Sequence, residues 1–118
     1  MVQAFSISVG DRIRLETAPL VGGPVWLPLH VKVIVDDDFI FDFVPKNATS
    51  RETLQKLLSL QSVPAEARTK WKPGAFGTIY SQRATGFCSQ YARDLHLIEN
   101  NCWTFALDLV RFVLEKED

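Results

Sequence analysis

The chain lacks most of the features that mark the easily recognised protein classes. It has no basic tract, and its formal net charge is only −1 at pH 7. The electrostatic footprint of a protein that binds nucleic acid or an anionic membrane is therefore missing. No apolar run approaches the ~18 residues that a membrane span needs. Met1 to Gly10 holds no positive segment followed by an apolar one, so no signal peptide is expected. Two cysteines do not make a disulfide framework, and a reducing, cytoplasmic compartment is the expectation. Repeats and low-complexity tracts are absent too. What remains is ordinary for a globular protein: 118 residues, 47% of them hydrophobic and 23% charged. That composition fits a single domain over residues 1–118 with a proper core.

Alternation marks the first half as β structure. Val2 to Ser8 alternates loosely, Gly10-Asp11 reads as a turn, and Arg12 to Glu16 alternates again, which suggests a hairpin at a sheet edge. Ala18 to Pro28, with three prolines and Gly22-Gly23, reads as a loop that tucks Trp26 and Leu27 against the core. Leu29 to Val35 is the clearest strand. Its Leu29, Val31, Val33 and Val35 share one face, and His30, Lys32 and Ile34 share the other. Asp36-Asp37-Asp38 suits a turn, and Phe39 to Val44 is the returning strand. With a three-residue turn, His30 lies opposite Asp42 or Val44. Either register makes His30 and Asp42 direct or diagonal neighbours on one face, with Cβ atoms roughly 5–8 Å apart. A turn one residue longer or shorter would separate them.

The second half is less periodic. Thr49 with Glu52 fits a capping box, and Leu54, Leu57 and Leu58 make the stripe of a short helix ending near Gln61. Val63 to Phe87 reads as a long loop, with Thr78 to Tyr80 as a possible short strand; a connection of that length is often functional. Gln90 to Leu97 is either a short helix or a strand. A final helix runs to about Glu115, with Phe105, Leu109 and Phe112 on a stripe wide enough to bury against a sheet. The expected architecture is α+β: an antiparallel sheet with the C-terminal helix packed on it.

The chemistry centres on Asn100-Asn101-Cys102-Trp103-Thr104-Phe105-Ala106. Asparagine is a favoured N-cap, so Asn100 or Asn101 starts the last helix and Cys102 falls in its first turn. Unpaired N–H groups and the helix dipole there favour a thiolate. Nucleophilic thiol chemistry also needs a base and a group that orients it. His30 offers the first and Asp42 the second, if the helix packs on their sheet. Each also has a plainer role: a buried apolar cysteine, a half-buried strand histidine, and a strand aspartate that needs a partner if it is buried. His96 is a rival base, with only Asp94 beside it. Cys88, His96, Cys102 and His30 could each bind zinc, but their spacing matches no common zinc pattern, so neither a metal nor any other cofactor is implied. Trp26, Trp103 and Asn101 are candidates for contacting substrate. Trp71 and Tyr80 could also line a cleft, although core packing suits the aromatic residues equally well.

The stretch from His30 to Asp42-Phe43, followed much later by Asn101-Cys102-Trp103-Thr104-Phe105-Ala106, resembles the circularly permuted papain-like (NlpC/P60, lecithin:retinol acyltransferase-like) superfamily. In that group the histidine strand precedes the cysteine helix. In pattern the chain is most similar to the transmembrane protein 222 / reversion-to-ethylene-sensitivity family, whose function is poorly understood. The likeness covers roughly His30 to Val44 and Gln90 to Val113. It departs from that membrane-associated family in having no spanning segment. The resemblance implies a Cys102–His30–Asp42 triad performing hydrolysis or acyl transfer on a peptide, isopeptide or lipid-ester carbonyl. The alternative is a catalytically inactive domain that keeps the fold and binds a protein partner.

Overall fold

In the computed structural model, residues 6–18, 30–47 and 49–115 are described. Five strands form one antiparallel sheet in sequence order: β1 (Ser6–Val9), β2 (Ile13–Ala18), β3 (His30–Val35), β4 (Phe39–Pro45) and β5 (Ala65–Trp71). Among the described residues three helices complete the α+β fold: α1 (Arg51–Leu58) between β4 and β5, then α2 (Ile79–Ser89) and α3 (Cys102–Glu115). No helix among the described residues is long and apolar enough to cross a membrane.

The β3–β4 hairpin follows from its sequence. Val35 pairs with Phe39 across the three aspartates, and the ladder continues through Val33↔Phe41 to Lys32↔Asp42. Asp36 and Asp37 take left-handed backbone angles (φ 53° and 62°), which Asp tolerates better than most residues. The alternation sorts the two faces. Ile13, Leu15, Val31, Val33, Val35, Phe39, Phe41 and Phe43 build the core with Phe105, Ala106, Leu109 and Val113 of α3. His30, Lys32, Ile34 and Asp42 belong to the other face. α3 lies against β3 and β4, while α2 lies against α3 and β5. Phe43 stacks on Phe105 at 5.6 Å and meets the edge of Tyr91 at 5.1 Å.

The segment Val63 to Phe87 differs most from expectation, because it is not a loop. Ala65 to Trp71 is the edge strand β5, paired with β4 along its whole length from Pro45↔Ala65 to Phe39↔Trp71. Its core-facing positions are Ala65, Ala67 and Thr69, so no bulky alternation announces it. Helix α2 is equally quiet, since its buried residues are Ser81, Ala84 and Cys88. Small side chains at that spacing let the helix sit close without an apolar stripe. Thr78 is therefore no strand residue but the N-cap of α2. It exchanges bonds with Ser81 in a capping box, and its hydroxyl donates to Asp36 at 2.5 Å. Asp36 also pairs with Arg12, so one turn aspartate joins the β2 side of the sheet to the start of α2. The shorter α1 is capped by Ser50 rather than Thr49. Gln90 to Leu97 forms neither element. Leu95 makes a single bridge to Val63, and His96 makes one to Asn100.

Two leucines on α3 test this packing. Leu109 is fully buried and Leu107 is 57% exposed. Leu109→Ala is expected to lower the free energy of unfolding by about 2–5 kcal/mol, and Leu107→Ala by about 0.5 kcal/mol or less. Urea denaturation of the two variants measures the contrast.

Candidate functional site

The register sets Asp42 opposite Lys32 on one side and opposite Arg68 on the other. His30 lies two residues before Lys32, which makes it the diagonal neighbour of Asp42 that the three-residue turn requires. The imidazole Nε2 is 3.0 Å from Asp42 Oδ2, and both side chains are buried. Arg68 grips the same carboxylate with two bonds, Nε to Oδ1 at 2.9 Å and Nη2 to Oδ2 at 2.7 Å. Burial alone would raise the Asp42 carboxyl. The hydrogen bonds from His30 and Arg68, together with the Arg68 charge, outweigh it and hold the group at about 2. Asp42 is thus ionised at neutral pH, and a neutral His30 keeps its proton on Nε2, facing the carboxylate. His30 Nδ1 is then left as an acceptor. It is buried and has no hydrogen-bond partner among the described residues, which is uncommon for a buried polar atom.

Cys102 opens α3, and Asn101 is its cap. Asn101 Oδ1 accepts from the Trp103 and Thr104 amides at 2.9 and 3.0 Å, and Nδ2 donates to Leu97 O at 2.6 Å. The neighbouring Asn100 fixes the approach to the helix. Its Oδ1 accepts from Tyr91 Oη at 2.9 Å, and its Nδ2 donates to Asp94 O at 3.0 Å. The Cys102 thiol donates to Phe43 O at 3.3 Å and is 1% exposed. Its titration runs against the expectation from the helix terminus. Burial pushes the thiol up to about 11 and the Asp42 charge adds to the rise, while a hydrogen bond from the Val31 backbone works the other way. The helix end offers partial charge only, and it is outweighed by removal of the sulfur from water.

The structure therefore joins His30 to Asp42 and brings Cys102 to the same end of the β3–β4 ladder without a Cys102–His30 hydrogen bond. The sulfur reaches the backbone of Val31 and Phe43, the residues that directly follow His30 and Asp42. It arrives from the helix side of the sheet, whereas strand alternation assigns His30 and Asp42 to the other face.

The remaining candidates are placed as follows. Trp103 is half-buried and packs on the core, and Trp26 lies outside the described residues. Trp71 is 62% exposed, and Tyr80 lies beneath the Arg12 guanidinium at 4.7 Å. His96 is fully engaged: Nε2 lies 3.0 Å from Leu60 O, and Nδ1 accepts from the Ile98 and Glu99 amides. Cys88 and Cys102 are free thiols, and burial pushes Cys88 up to about 12. Among the described residues no three His, Cys, Asp or Glu side chains converge to hold a metal. Arg68 was not foreseen. The signal for it was the buried Asp42 itself, which required a cation or several donors, but recognising its partner depended on finding β5.

The Asp42 shift makes stability depend on pH. A carboxyl held below its unfolded value stabilises the fold above about pH 4 and loses that contribution as pH falls toward 2. Asp42→Asn is expected to cost on the order of 3 kcal/mol at pH 6, since it leaves His30 and Arg68 without their charged partner. The gap to wild type should narrow between pH 4 and pH 2, as read from urea midpoints.

Comparison with known proteins adds nothing to this geometry: no family model, no curated protein and no solved structure matches the chain.

Proposed function

We propose that the chain is a thiol hydrolase or acyltransferase of the permuted papain-like arrangement, acting on an amide or ester carbonyl. Cys102 is the nucleophile, His30 the base and Asp42 the group that orients the imidazole. The observation that carries this reading is the state of His30: Nε2 is held by an ionised carboxylate, and Nδ1 is buried without a partner among the described residues. A purely structural histidine commonly spends both nitrogens, as His96 does. The Cys102 sulfur already touches the residue after each of the other two members.

In this mechanism the end of the β3–β4 ladder opens, so that the sulfur leaves Phe43 O and meets His30 from the other face of the sheet; Nδ1 then takes the thiol proton as the sulfur attacks the carbonyl carbon. The carbonyl π electrons move onto oxygen, where a backbone N–H at the start of α3 can stabilise them. When the tetrahedral species collapses, the leaving amine or alcohol takes the proton from His30 and an acyl-Cys102 remains. His30 then deprotonates water, or a second alcohol or amine, as it attacks the thioester carbonyl; collapse breaks the C–S bond, the acyl group leaves with the new nucleophile, and the Cys102 sulfur takes the proton back from His30. Asp42 stays ionised throughout and stabilises the transient imidazolium. A peptide, isopeptide or lipid ester would satisfy this chemistry.

A second reading has its own support. The sealed Cys102, with its thiol pushed up to about 11, suits a domain that keeps the fold without catalysis and binds a protein partner. Iodoacetamide alkylation across pH separates the two, with Cys88 as the internal control. The catalytic reading expects Cys102 to react in the native protein ahead of Cys88, and His30→Ala to slow that reaction at least about tenfold. If Cys102 reacts only after unfolding, or no faster than Cys88, the non-catalytic reading replaces it.

A further inference from the structure

We infer that Arg68 is a positioning residue for the same site: through its two-bond grip on Asp42 it fixes which imidazole nitrogen of neutral His30 carries the proton. The inference rests on the proposed chemistry only for its purpose, because the grip and its effect on His30 can be measured without any reaction.

The geometry is specific. Arg68 sits directly across from Asp42 on β5, and its planar fork matches both carboxylate oxygens at 2.9 and 2.7 Å. Oδ2 is shared, since it faces Arg68 Nη2 at 2.7 Å and His30 Nε2 at 3.0 Å. A carboxylate held at both oxygens cannot rotate away from the imidazole, so one oxygen stays aimed at Nε2. A proton fixed on Nε2 leaves Nδ1 as the acceptor that the proposed chemistry needs.

The other groups around His30 do not duplicate this role. Lys32 and Glu16 face each other across β3 and β2 on the same side of the sheet, and Glu66 adds to the field around Arg68 from its own strand. From the helices, the nearby titrating groups are Cys102 and Cys88, both thiols protonated at neutral pH. Among the described residues, Arg68 is the one cationic side chain bonded to the carboxylate that touches the imidazole.

The test is nitrogen-15 NMR of the histidine side chains in the full chain, titrated with pH in wild type, Arg68→Met and Arg68→Lys. His96, whose nitrogens are bonded elsewhere, is the internal control. Wild type is expected to show neutral His30 protonated on Nε2. In R68M the single-tautomer signature of neutral His30 should weaken, with His96 unchanged. R68K, which restores the charge without the fork, should not restore the tautomer purity. An unchanged His30 tautomer in R68M would overturn the inference. If R68M does not fold, R68K decides alone: a His30 tautomer identical to wild type removes the role of the fork. Failure of the catalytic reading would look different, because Cys102 would be unreactive in wild type while the His30 tautomer still responded to Arg68.

Discussion

One carboxylate constrains much of this molecule. Asp42 lies on a strand otherwise made of Phe, Ile and Val up to its final Pro45, and it is nearly excluded from water. Burying a charge there is costly unless it is neutralised and hydrogen-bonded. The sheet meets that demand across three strands, with His30 from β3 and Arg68 from β5 meeting at β4. A slip of either strand by one residue would turn the partner to the other face. The His30–Asp42–Arg68 chain thus fixes register as well as charge, and it does so beside the start of α3.

At that helix start two influences oppose each other. The first turn of α3 favours a negative sulfur, and enclosure disfavours it. With the thiol at about 11, enclosure is the stronger. The protonated sulfur takes a backbone carbonyl as its acceptor, an ordinary accommodation for a buried thiol. His30 Nδ1 has no such partner among the described residues, although Nε2 is held by Asp42. A satisfied cysteine and a half-satisfied imidazole thus stand at the same end of the β3–β4 ladder, on opposite faces of the sheet.

The parts of the fold written in large side chains could be read directly from the sequence. Alternating Val and Phe around three aspartates gave the β3–β4 hairpin and its register, and with them the His30–Asp42 contact. The Asn-Cys junction gave the helix start, and Asn101 caps it. The parts written in small or charged side chains stayed hidden. β5 shows the core only alanines and a threonine, and α2 buries Ser81, Ala84 and Cys88, so neither carries a hydrophobic period. Arg68 was hidden with β5. The burial of Cys102 was hidden for a different reason: enclosure comes from several elements closing on one point, which no local pattern records.

The hydroxyl of Thr78 bonds to Asp36 across 42 residues of chain. The same hydroxyl also caps the first turn of α2, so the helix and the β3–β4 turn share one polar joint. Loosening of the aspartate turn would therefore act first on the cap of α2, and through that helix on β5, the strand beside β4 that carries Arg68.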